Sequence, residues 1–124
     1  MSQSGVIKMA KDDYFVLVYQ ILAYMYRCLK AGEDIDTKMI EPDSPILKVN
    51  AKYWLYIVEN MQEQGFIRGI VLTRAFGYGV VSWNLSRAEI TPKGIEYLCE
   101  NSTIKKAYRF LKDTKSILPF DLIP

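Results

Sequence analysis

The segment AEITPKGIEYL, residues 88–98, joins the end of a strand-like run to the start of a helix through one Thr-Pro-Lys-Gly corner. Ile90 closes the β-prone side. Thr91 then offers a hydroxyl N-cap, Pro92 takes the first helical position, where its missing N–H costs nothing, and Gly94 allows close packing. The helix it opens, PKGIEYLCEN, ends at Asn101. A further helix over about residues 103–116 sets Ile104, Ala107, Tyr108 and Leu111 at helical spacing, before ILPFDLIP breaks the pattern at Pro119.

Upstream of the corner the period is that of strands. FIRGIVLT (66–73) is rich in β-branched residues, RAFGYG (74–79) carries two turn glycines, and VVSWNL (80–85) alternates Val81, Trp83 and Leu85 with Val80, Ser82 and Asn84. Together they predict a β-hairpin with a longish loop. Before it, Asn50 opens the clearest amphipathic helix, residues 50–65, with Trp54, Ile57, Val58 and Met61 facing a core and Gly65 as its stop. Lys52, Tyr53, Tyr56, Glu59, Asn60 and Glu63 are left outward.

The acidic stretch GEDIDTKMIEPDSPILKVN predicts a short helix over Thr37–Glu41, capped by Asp36 and ended by Pro42, followed by loop. Residues 14–26, YFVLVYQILAYMY, hold Gln20 as their one clearly polar side chain. Thirteen helical residues reach ~20 Å, short of the ~30 Å hydrocarbon slab. The run therefore predicts a helix from about Asp13 to Ala31, capped by Asp13 and stopped at Gly32. Because it is apolar on nearly every face, it must be covered by another helix or by something beyond its own domain.

The order is helix, short helix, amphipathic helix, hairpin and helix again. That is an α+β chain of the winged helix-turn-helix type with an additional C-terminal helix. The expected division is an N-terminal extension over 1–12, poorly ordered, the winged-helix domain over 13–116 and a tail over 117–124. From Asp13 to Ser116 the chain resembles the YjcQ-like proteins of Gram-positive bacteria and their prophages. The resemblance lies in YWLYIVENMQEQGFIRGI (53–70), in EITPKGIEYLCENSTIKKAYRFLK (89–112) and in the spacing between them. It implies a small winged-helix domain and transfers no catalytic residue.

With 124 residues the chain suits one core. Its formal charge is +2, from 16 basic and 14 acidic side chains, so no strong overall field draws it to nucleic acid or anionic lipid. Local segments differ: residues 33–43 set one lysine against five carboxylates, whereas residues 66–94 set four cations against one carboxylate. Histidine is absent, and Cys28 and Cys99 stand far apart without neighbouring ligands, which argues against a zinc site and a His-based triad. The acidic stretch has no EF-hand spacing. No phosphate-cradling glycine loop is present, since Gly77 and Gly79 do not lead into a helix. The expectation is a protein that is not an enzyme and needs no metal or cofactor. Lacking a visible signal peptide, it is expected in the reducing cytoplasm, with both thiols structural.

In a winged helix the third helix enters the major groove and the hairpin lies along the backbone. That assigns double-stranded DNA contacts to Lys48, Asn50, Lys52, Tyr53 and Tyr56 on the helix. Arg74 and Tyr78 would serve in the wing, with Arg87 and Lys93 meeting phosphates nearby. Glu59 and Glu63 on the same helix face oppose this reading. The competing expectation is a protein-interaction adaptor, most economically a homodimer, inferred from the over-apolar first helix, the apolar stripe of the last helix and the exposed tyrosines.

Overall fold

The computed structural model describes residues 9–114. The first helix, α1, covers Tyr14–Ala31 and runs through the middle of the core. Val16, Leu17, Val18, Ile21, Leu22 and Met25 are all essentially inaccessible. The second expectation for this helix, an outside partner, is not needed: α2 (Ala51–Glu63), α3 (Pro92–Glu100), α4 (Ser102–Asp113) and the strand β4 (Glu89–Ile90) all pack on it. Gly32, at φ +70°, ends α1. Its N–H returns to the Leu29 carbonyl and that of Glu33 to Cys28, the paired closing bonds of a left-handed helix stop. At the other end Asp13 occupies the N-cap position, but its carboxylate accepts from the Ala10 N–H upstream instead of from the helix.

The short helix expected over residues 37–41 is one 3-10 turn, Thr37–Met39, with Asp36 accepting from the Lys38 N–H. Pro42 bars Glu41 from helical backbone, so a single turn is all that fits between cap and proline. Asn50 caps α2 through the Tyr53 N–H at 2.9 Å. At the end of α2 the Gly65 and Phe66 N–H groups close onto Gln62 and Met61, with Gly65 at φ +83°. Trp54 is 0 % exposed, and its indole N–H donates to the Ile40 carbonyl at 2.7 Å, tying α2 to the loop before it.

The run 66–73 is not one strand. β1 (Ile67–Arg68) pairs with β4, and β2 (Val71–Ala75) pairs with β3 (Gly79–Asn84), giving two antiparallel pairs in succession. The break falls at Gly69–Ile70. Gly69 sits at φ +89° so close to the Arg87 carbonyl that an added Cβ would lie 2.0 Å from its oxygen. Both backbone groups of Ile70 are taken by the Gln62 side chain, at 2.9 and 3.0 Å, and are lost to any ladder. Strand propensity cannot register a competing side chain from the preceding helix. The expected grouping of Val81 with Trp83 also fails. A bulge pairs Thr73 with Ser82 and Arg74 with Val80, which turns Val81 outward and Val80 partly inward.

At the Thr-Pro-Lys-Gly corner, Thr91 Oγ1 accepts from the Gly94 N–H and donates to the Gly65 carbonyl, while the Thr91 N–H donates to Phe66. The corner thus fastens the start of α3 to the end of α2. Asn101 closes α3 and, through its side chain, caps α4 at Thr103 and Ile104. Ile104, Ala107 and Leu111 are buried, so the apolar stripe of α4 is spent on its own core. α4 ends at Asp113 with Thr114 as its cap residue, short of the expected Ser116, while residues 115–124 and the first eight residues of the extension lie outside the described residues. Residues 9–12 are described, and the Asp12 carbonyl accepts from the Tyr53 hydroxyl at 2.8 Å.

Tyr24 anchors the acidic loop, its hydroxyl accepting from the Asp36 N–H at 3.0 Å. Burial pushes its pKa up to about 12, against a smaller lowering by that N–H. Tyr14, Tyr53 and Tyr97 are also raised, in each case chiefly by burial. A phenol that holds its proton more tightly in the folded chain contributes stability that is whole below about pH 10 and is lost as pH rises through the folded value. Urea midpoints are therefore expected to fall steadily from pH 10 towards 12. In a Tyr24→Phe variant the decline should be shallower, and equal slopes in the two proteins would remove Tyr24 from this account.

Candidate nucleic-acid interface

The start of α2 is set by a tight loop in which Asp43 and Lys48 both adopt positive φ, 59° and 47°. The Ser44 hydroxyl accepts from the Leu47 N–H, and the Asp43 N–H reaches the Val49 carbonyl. With Ile46, Leu47 and Val49 buried, this geometry turns Lys48 out to solvent just before the Asn50 cap. Lys52 follows, exposed on the first turn. Asn50 uses one lone pair of its side-chain oxygen on the cap, which fixes the orientation of its amide at the start of the helix. Tyr53 is half-buried with its hydroxyl engaged by Asp12. Tyr56 is 61 % exposed, its ring set edge-on to Tyr14 at 6.0 Å.

One helix turn further on, Glu59 forms an ion pair with Arg74 of β2. This joins two residues of opposite meaning for phosphate: the arginine assigned to the wing is neutralised by the carboxylate that argued against the helix. The same seam holds Gln62 on the Ile70 backbone and Trp83 of β3 against Trp54, ring centroids 4.8 Å apart. Helix and hairpin are thereby one unit. Tyr78 stands at the hairpin tip, 82 % exposed, beside Phe76, which is fully exposed.

Arg87 and Lys93 lie elsewhere. Arg87 is at the hairpin base, opposite Gly69, and Lys93 extends its ammonium to within 5.7 Å of the Phe66 ring centroid, next to Gly65. That is the C-terminal end of α2, some ~20 Å along the helix from Lys52 by its length of thirteen residues. The nine assigned residues thus divide into five at the start of α2, Arg74 in the seam with the hairpin, Tyr78 at the hairpin tip, Arg87 at the hairpin base and Lys93 at the far end of α2. Two features were missed. Phe76 receives no role in the sequence reading, although a phenylalanine between a strand end and two glycines has no neighbour to cover it. Gln62 carries no local signal at all, because its role depends on where Ile70 arrives.

Among the described residues no group of cysteine, aspartate and glutamate side chains is placed to hold a metal ion, and no helix is long and apolar enough to cross a membrane. Cys28 is buried and Cys99 exposed, and neither is in a disulfide. The molecule is thus an α+β domain whose distinguishing surface is a helix with a hairpin clamped to it. A family model described as YjcQ protein matches residues 19–117, and the chain belongs to the YjcQ family. Comparison with curated proteins and with solved structures returns no match.

Proposed function

We propose that this domain is a winged-helix module that binds double-stranded DNA in a regulatory role, with α2 as its reading helix and the β2–β3 hairpin as its wing. The observation that carries the reading is the clamp between the two. Trp54 against Trp83, Gln62 on Ile70 and Glu59 on Arg74 hold the hairpin in a fixed pose beside the N-terminal half of α2, which with the loop before it presents Lys48, Lys52 and exposed Tyr56. A helix and a rigid projection side by side can follow a groove and the adjoining backbone together. On this reading the domain binds without catalysing, in the cytoplasm, and a homodimer would present two such units to paired half-sites.

The test is fluorescence anisotropy of random-sequence duplex DNA against the purified protein at low and moderate salt. Binding that weakens steeply with salt supports the reading, and absence of binding at low salt sinks it. The ion pair yields a prediction of unusual sign. Glu59→Gln should tighten duplex binding several-fold, because it removes a carboxylate from the face and frees the Arg74 guanidinium for phosphate. Lys52→Ala should weaken it and flatten the salt dependence. Unchanged affinity in both variants would move the contact away from α2.

A second reading rests on the hairpin tip. Phe76, Tyr78, Val71 and Val81 are all exposed on one short ribbon, which favours an adaptor contacting an apolar protein surface. Phe76→Ser with Val81→Ser, neither of them an assigned DNA contact, separates the two readings: it would leave salt-dependent DNA binding largely intact and abolish a protein contact made through the apolar ribbon.

A further inference from the structure

A cavity of about 310 Å³ opens between α1, α3 and α4, and no residue of α2 or of the hairpin lines it. Its floor is apolar, made by Ala23, Leu98 and the inaccessible Ile104. Its walls are aromatic, with Tyr26 on one side and Tyr108 on the other, the latter tilted against Tyr19 at 5.8 Å. At the rim stand Arg27, Lys30 and Lys105, and no carboxylate is among the lining residues. The described ion pairs, Arg68 with Glu89 and Arg74 with Glu59, involve none of these three cations.

The geometry points to a ligand site for a small planar aromatic molecule bearing one anionic group. Three cations gathered round one opening repel each other unless a negative charge is placed among them, and the low-dielectric floor strengthens that attraction relative to open water. Lys30 already lies 4.7 Å from the Tyr26 ring centroid, so a charge and a π face converge on the same mouth. Ala23, Leu98 and Ile104 give the deep end an apolar surface, and Tyr19, Tyr26 and Tyr108 line it with ring faces, which favours an aromatic ring there. The volume is at the lower limit of ligand pockets, roughly 300–1,000 Å³, so one or two fused rings fit and larger molecules do not. Carboxylate, sulfonate and phosphate esters of such rings share this chemistry. The site is independent of the DNA reading, because it lies on other elements of the fold.

Naphthalene-2-sulfonate serves as the probe and its uncharged parent, naphthalene, as the control, both titrated into the full chain and followed by nuclear magnetic resonance shifts of the protein. The expected result is saturable binding of the sulfonate at one per chain, tighter than that of the parent. Lys30→Gln combined with Lys105→Gln, both exposed and outside the core, should weaken the sulfonate by about tenfold and leave the parent unchanged. Ala23→Phe, which fills the floor, should remove both while the melting transition stays cooperative. Equal affinity for the two probes, no saturation, or a double variant that still binds the sulfonate as the wild type does would each overturn the assignment.

Discussion

Trp54→Ala is expected to lower the unfolding free energy by about 3–5 kcal/mol, enough to leave a domain of this size marginal or unfolded at 37 °C. Three losses coincide at this position. The side chain is fully buried, so its removal opens a large cavity among Ile57, Val58 and the α1 residues of the same core. The Ile40 carbonyl loses the indole N–H that satisfies it at 2.7 Å and is left buried without that donor. Trp83 loses the ring beneath it, so β3 is released from the helix. Trp54→Phe restores most of the volume but not the hydrogen bond, and should fall between alanine and wild type. Urea denaturation followed by far-ultraviolet circular dichroism measures all three proteins. A loss below about 1 kcal/mol for alanine would show that the tryptophan pair does not join hairpin to core.

Gly94→Ala is the second large effect, and its sign opposes helix propensity. Alanine inside a helix is ordinarily better than glycine by about 1 kcal/mol. Here an added Cβ would lie 2.1 Å from the Phe66 carbonyl oxygen and 2.9 Å from Ile90 Cγ1. The carbonyl cannot retreat freely, since it also accepts from the Thr91 N–H, and Thr91 holds Gly65 through its hydroxyl. Relief requires α3 to move away from the end of α2, which opens the corner. The net cost is expected at about 1–3 kcal/mol or above, read as a lower urea midpoint. Gly77→Ala makes the comparison, because its positive φ of 80° is unfavourable for alanine but its surroundings are open. If Gly94→Ala were as stable as wild type, the close approach of the two helix ends would not exist in solution.

Much of the fold was legible in the chain because it was written in local chemistry. Asn50 and Thr91 are N-caps whose side chains bond the third N–H beyond them, Gly32 and Gly65 are left-handed stops, and Trp54, Ile57, Val58 and Met61 form the buried stripe of α2. Each of those features needs only a few neighbouring residues to act. The candidate interface was legible in part for the same reason. Lys48, Lys52, Tyr56 and Tyr78 are exposed as their positions in the pattern implied. The rest depended on partners distant in sequence. Arg74 as a free wing cation was the natural reading of a strand end, and only the arrival of Glu59 alongside it turned it into half of an ion pair.

The sequence by itself determined the succession of elements, the caps and stops that bound them and the residues that must be buried, since all of these follow from spacing and from backbone preferences within a turn or two. Tertiary structure alone decided what covers α1, where the hairpin breaks and which charges remain free. Three helices and a strand converge on α1, so a helix that looked short of partners is enclosed within its own domain. Gln62 takes the backbone of Ile70 and splits one expected strand into two. The cationic cavity draws Arg27 and Lys30 from α1 and Lys105 from α4, residues separated by most of the chain. The physical reason is common to all three: burial, competition for a hydrogen bond and the sum of nearby charges depend on distance in space, and the order of residues specifies that distance only through the completed fold.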